Sequence, residues 1–291
     1  MTLVRILLLG TLAASGLILG VRCTKEMRSV GARGVIAPTA VDVLIGFVTS
    51  FLDTLGIGSF ATTTAAFRIF RLVPDELIPG TLIAGLALPV VTEALLFISG
   101  VDVDPWQMTA LIVVCVIGGW IGAGIVASLS RSAVQLGIGC ALLVAAVFMV
   151  LGMLGRVPAG GTALALTPWA FVLALVINFA LGALLTLGVG NYAPSLVVFS
   201  FLGMDPKAAF PIMMGSGAFV ATIAGVRFVS ARRVLWRVAV GLTCGGIPGV
   251  VIAVWFVKSL PLAALRWLVL IVVYASATLL RSSGVRRPDS R

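Results

Sequence analysis

Residues 54–85 read TLGIGSFATTTAAFRIFRLVPDELIPGTLIAG, and residues 186–217 read TLGVGNYAPSLVVFSFLGMDPKAAFPIMMGSG. Laid on one another without a gap, nine of the 32 pairs are identical: Thr54/Thr186, Leu55/Leu187, Gly56/Gly188, Gly58/Gly190, Ala61/Ala193, Phe67/Phe199, Pro74/Pro206, Pro79/Pro211 and Gly85/Gly217. Apolar sequence produces chance matches of Leu and Ala easily. Gly and Pro pairs in register are harder to obtain, so the chain reads as two copies of one unit.

The surroundings of these stretches say what kind of unit it is. Of 291 residues, 60% are apolar and 10% charged, with a mean hydropathy of +1.21. Soluble domains carry about 25% charged residues, and so few charges cannot clothe a water-soluble fold of this length. The apolar residues come in long runs rather than the alternating short segments of a porin-like barrel. The expected fold is therefore an all-α polytopic membrane protein. Its net charge of +10 sits in short connections between apolar runs, as the positive-inside bias demands, and does not point to nucleic acid. There is no His, and Cys23, Cys115, Cys140 and Cys244 form no metal-ligand pattern. Neither a metal nor any other cofactor is expected, nor is enzymatic chemistry, although a sensor or enzyme subunit completed by a partner chain stays open as an alternative.

Each half divides into five helical segments. The first half gives 40–57, 59–71, 75–100, 106–129 and 133–154; the second gives 168–189, 191–203, 207–229, 234–257 and 260–281. The short segments 59–71 and 191–203 span roughly 20 Å at 1.5 Å per residue, less than the ~30 Å hydrocarbon core. With Gly56 and Gly58 ahead of one and Gly188 and Gly190 ahead of the other, they read as helices broken inside the membrane. The loop after 75–100 carries Asp102 and Asp104, whereas its counterpart carries Arg227, Arg232, Arg233 and Arg237. Equivalent loops thus face opposite sides, and an odd segment number inverts the second copy. The organisation expected is residues 1–36 as a retained N-terminal helix with a basic cytoplasmic linker, 40–155 and 165–283 as inverted repeats, and 284–291 as a cytoplasmic tail.

Inverted repeats with matched broken helices point to a transporter whose site lies near the midplane. A helix that starts inside the membrane offers unbonded N–H groups and a positive dipole end, which together attract an anion. The candidate binding residues are Gly56, Gly58, Ser59, Thr62 and Thr63 in the first half and Gly188, Gly190, Asn191, Tyr192 and Ser195 in the second. Singly, such small polar residues also serve close helix packing. Two acids lie within apolar segments: Asp53, opposite Leu185 in the repeat, and Glu93, opposite Gly225. Both are candidates for proton coupling, with a structural hydrogen-bonded acid as the other reading. Asp42 is placed at the cytoplasmic interface, and the six Trp at segment ends form an aromatic belt.

The stretch Gly203-Met204-Asp205-Pro206-Lys207-Ala208-Ala209, after a glycine-interrupted helix with Pro194, resembles the G-M-D-P-x-x-A element of the TauE/SafE family of membrane permeases. Gly46-Phe47, Asp53, Gly56, Gly58 and Pro74 resemble its partner element, and the resemblance spans about residues 40–283. Where that family often has a run of glycines followed by proline, this chain has Gly56-Ile57-Gly58-Ser59-Phe60-Ala61-Thr62. The resemblance implies secondary transport of sulfite, sulfoacetate or a related organosulfonate across a bacterial plasma (inner) membrane. Export coupled to the proton gradient is expected, by rocking of one repeat against the other, with a cytoplasmic C-terminus. The expected partners are a small anion, protons and the lipid bilayer, with a homodimer left open. Import of small carboxylates or thiosulfate, and an uncoupled anion channel, are the alternatives.

Overall fold

The computed structural model describes residues 2–30, 37–56, 58–126, 161–185 and 191–259. The helices expected over 133–154 and 260–281, and the tail, lie outside the described residues. The elements are α1 (Leu3–Val30), α2 (Ala40–Thr54), α3 (Ser59–Ile69), a 3-10 turn (Asp75–Leu77), α4 (Ile78–Gly100), α5 (Pro105–Val126), α6 (Pro168–Leu185), α7 (Tyr192–Phe201), α8 (Pro206–Ser230) and α9 (Trp236–Ser259). Five of these helices are long and apolar enough to cross a membrane, and the described residues contain no strand. The protein is an all-α polytopic membrane protein.

Local chemistry explains the boundaries. Thr39 and Asp42 close a reciprocal capping box at the start of α2, with Asp42 N–H on Thr39 Oγ1 at 3.2 Å and Thr39 N–H on Asp42 Oδ2 at 2.9 Å. Asp205 caps α8, accepting Lys207 N–H at 2.8 Å, and Pro206 opens the helix where its missing N–H does no harm. Between α2 and α3 the chain turns through Gly56 (φ 93°) and Gly58 (φ 87°), a left-handed conformation that costs other residues roughly 1–2 kcal/mol. At 11 and 10 residues, α3 and α7 reach about 16 and 15 Å and cannot span alone.

The dominant helix contacts cross between the sequence halves: α2 packs on α9, α6 on α5, and α4 on α8. Lipid is as apolar as Leu, so close backbone approach rather than hydrophobicity must hold these pairs. Small residues allow it. A Cβ added at Gly46 would meet Leu242 Cα at 2.6 Å, one at Gly245 the Val43 carbonyl, and one at Gly249 the Phe47 carbonyl at 2.5 Å. Gly118 and Gly182 do the same between α5 and α6, against Phe179 and Cys115. Residues low in α2 meet residues low in α9, so that pair runs parallel, as does the pair α5 and α6. By contrast α4 and α8 run antiparallel: Phe97 stacks on Phe210 at 5.1 Å near one end, and Gly80 abuts Phe228 and Arg233 at the other.

Helix α1 lies along both α4 and α8. Near its start Arg5 donates to the carbonyls of Val101 (3.0 Å) and Val103 (3.4 Å), and near its end Glu26 pairs with Arg232 at 2.9 Å. The α4–α5 and α8–α9 connections are therefore separated by most of a helix about 40 Å long. Arg22, Lys25 and Arg28 share the Arg232 end.

One expectation is sharpened and one corrected here. Asp42, in the first turn of α2 as expected of a residue near a helix end, is fully buried within the protein, where the capping box and Arg237 at 3.6 Å hold it against α9. Trp106, Trp120, Trp169 and Trp255 are exposed as an aromatic belt requires, but Trp236 is buried among Leu19, Ala84, Ala87 and Ala239. Trp267 lies outside the described residues.

Gly245→Ala forces a methyl into the Val43 backbone and is expected to lower stability by about 1–3 kcal/mol, as overpacking does. Gly20→Ala, with nothing within 4 Å of the added Cβ, should leave the thermal melt in detergent unchanged or raised. Equal melts for the two variants would remove the close-packing account of α2 and α9.

Candidate functional site

The broken helix α2–α3 is held by one side chain. Asp53 accepts the Ser59 backbone N–H at 2.7 Å and the Ser59 hydroxyl at 2.8 Å, and is itself buried. A carboxylate at a helix N-terminus satisfies one of its four unbonded N–H groups and faces the positive dipole end. Asp53 thus occupies the α3 terminus that sequence reading offered to a substrate anion.

Glu93, in the middle of α4, is also fully buried, and neither carboxyl oxygen has a well-aligned hydrogen-bond partner, the Thr54 hydroxyl standing within looser hydrogen-bonding reach. It sits within electrostatic reach of Asp53 and Thr54 from α2 and of Tyr192 from α7, and Tyr192 is within reach of Asp53 as well. The Tyr192 ring lies in the space left by Gly217 of α8, whose added Cβ would fall 2.9 Å from the phenol oxygen. On the other side, Gly56 abuts Leu196 of α7. The structure therefore brings together Asp53, Gly56, Ser59 and Glu93 from the first half with Tyr192 from the second.

The remaining candidates divide. Thr63, Asn191 and Ser195 are buried with unpartnered polar atoms. Thr62 turns its hydroxyl onto its own helix, donating to the Gly58 (3.1 Å) and Ser59 (3.0 Å) carbonyls. Gly58 shapes the turn by its positive φ. Gly188 and Gly190 lie outside the described residues.

Sequence reading missed several buried polar groups. Ser50 has an unpartnered hydroxyl, Ser216 stands within hydrogen-bonding reach of the Cys115 thiol, and Asn178 donates to the Leu111 carbonyl at 2.7 Å, tying α6 to α5. An Asn inside an otherwise apolar run is the signal that could have found Asn178, since membrane amides usually bond across helices. No Lys or Arg is among the buried described residues. Among the described residues the cluster therefore offers an incoming group neutral donors and helix ends but no buried cation.

The family model for the sulfite exporter TauE/SafE matches residues 41–280. The chain belongs to the TauE/SafE family. Neither a curated protein nor a solved structure matches it. The family match takes in every element from α2 to α9 and leaves α1 outside. The family is one of membrane transporters associated with sulfur anions, as the motif around Asp205 and Pro206 implied.

Asp53→Ala is expected to cost about 1–3 kcal/mol, because it strands the buried Ser59 N–H. Asp53→Asn keeps an acceptor and should lose less, and Glu93→Gln keeps an acceptor for Thr54 and breaks no well-aligned bond, so it should lose least. Melting curves of the purified protein decide the order; a larger loss for Glu93→Gln than for Asp53→Ala would reverse these roles.

Proposed function

We propose that the protein is a proton-coupled secondary transporter of a small sulfur-containing oxyanion, such as sulfite or an organosulfonate, in a bacterial inner membrane. The observation that carries this reading is Glu93: a buried carboxyl whose two oxygens lack a well-aligned partner, beside the starts of both short helices, in a TauE/SafE chain. A fixed buried carboxylate is rare without function in a membrane interior. Asp53, already bonded to Ser59, serves as the cap, and Glu93 carries the proton.

The sign of the coupling follows from charge. An anion entering beside ionised Glu93 and Asp53 meets like charge at low dielectric, so it binds best when Glu93 is protonated. Favourable coupling between two ligands is reciprocal, so proton and anion bind and travel together. A monoanion and a proton carry no net charge across. The net direction then follows the product of the two gradients, and export operates where the cytoplasmic anion concentration is high.

Alternating access fits two inverted repeats, a reading supported by the antiparallel run of α4 and α8 and by the placement of their following loops at opposite ends of α1. The moving units are not the sequence halves, since α2 is packed on α9 and α5 on α6. Each unit is an exchanged bundle with one arm from either half. The end holding Arg22, Lys25, Arg28 and Arg232 is cytoplasmic by the positive-inside rule.

Proteoliposome flux of sulfite, sulfoacetate, thiosulfate and small carboxylates, with and without a pH gradient, tests this. Wild-type flux should follow the proton gradient, and Glu93→Gln should transport without pH dependence or not at all. Flux indifferent to pH in the wild type favours a channel, and no flux of any of these anions removes the carrier reading.

A further inference from the structure

The two short helices carry matching donors and unequal acceptors. At α3 the donors are Ser59 and Thr63; their repeat counterparts at α7 are Asn191 and Ser195, again four residues apart and so on one helix face. At α3 the carboxylate of Asp53 takes both donors of Ser59. The residue equivalent to Asp53 is Leu185, buried and apolar, so α7 has no such internal carboxylate.

The start of α7 shows the consequence. Asn191 stands at its N-cap with helical φ and ψ and makes no side-chain cap bond. Asn191 and Ser195 are 1% and 0% exposed, yet both polar atoms of the Asn191 amide and the Ser195 hydroxyl lack a partner. Burying such groups unbonded costs about 1–3 kcal/mol each, which a ligand would recover. The first turn of the helix adds N–H groups at Tyr192 and Ala193 that cannot bond within the helix; Pro194 has none. The Ser195 N–H is spent on the Asn191 carbonyl at 2.9 Å.

We propose that the anionic head of the substrate sits on the first turn of α7, held by Asn191 and Ser195, in the place that the Asp53 carboxylate takes at α3. The proposal rests on the carrier reading above and makes its site asymmetric: one helix end is capped by the protein, the other by the cargo. The resident carboxylate also indicates the cargo, a compact oxyanion head able to accept two donors at once. With no buried Lys or Arg among the described residues, and with Glu93 and Asp53 near Tyr192, the seat suits a monoanion such as a sulfonate, hydrogen sulfite or carboxylate rather than a dianion.

The test uses the full chain in detergent, titrated by calorimetry with methanesulfonate, sulfite and acetate. Ser195→Ala and Asn191→Leu are expected to raise Kd about tenfold or more, as loss of a charge-assisted hydrogen bond does, and the matched Thr63→Ala less than about threefold. Leu185→Asp places a carboxylate where Asp53 has its own and should likewise weaken binding at least about tenfold, with Leu185→Asn well below that. Ligand-free melts establish that each variant is folded, and Ser195→Ala, the mildest, carries the test if Asn191→Leu does not fold. Binding to the wild type with the α7 variants unaffected, or a loss in Thr63→Ala as large as in Ser195→Ala, overturns the placement while leaving the carrier. No binding of any of the three anions to the wild type removes both.

Discussion

The bond from Asp53 to Ser59 is the constraint from which the rest of the site follows. A helix beginning inside hydrocarbon has no water for its first N–H groups, and each one left unbonded there costs several kcal/mol. Asp53 meets that need from six residues back, which is possible only because Gly56 and Gly58 let the chain double on itself. The bond fixes where α3 starts. It also places Gly56 against Leu196, so that the second short helix begins beside the first. A charge that would be expensive as an isolated ion becomes part of the backbone's hydrogen-bond network.

What holds Asp53 in place comes from the far half of the chain. Its helix, α2, is seated on α9 through Gly241, Gly245, Gly246 and Gly249, at a sequence separation of about two hundred residues. With the reciprocal seat of α6 on α5, the most extensive helix pairings among the described residues join one half to the other.

The sequence made the elements legible and the partners obscure. Hydropathy and the Gly and Pro pairs placed the short helices to within two residues, because a break inside an apolar run needs glycine and little else produces it. Asp53 stood out for the same reason, as a charge where none is tolerated without a bond. The exchange of α2 and α6 between halves was not legible, since hydropathy reports that a segment spans and says nothing of what it spans beside. Nor was the burial of Asp42: an acid in the first turn of a helix reads as exposed unless Arg237, nearly two hundred positions later, is known to face it. The role of Asp53 was half visible. Its position marked it as buried, but only geometry distinguishes a carboxyl bonded to Ser59 from one, like Glu93, with neither oxygen in a well-aligned bond.

The two halves match in their Gly and Pro positions and differ in charge. Asp53 faces Leu185 across the alignment, and Glu93 faces Gly225, against which Leu19 of α1 packs. A fully symmetric molecule would gather two Asp and two Glu in one buried cluster, and four carboxylates at low dielectric would repel both one another and any anion. Keeping both acids in one half preserves a matched pair of short helices while limiting the buried negative charge to two carboxyls, one of them already bonded to Ser59. α1, outside the family match, fills the side of α8 that carries no acid. In the proposed carrier, symmetry serves the movement between two facings of the membrane, and its breaking leaves one helix end able to receive an anion.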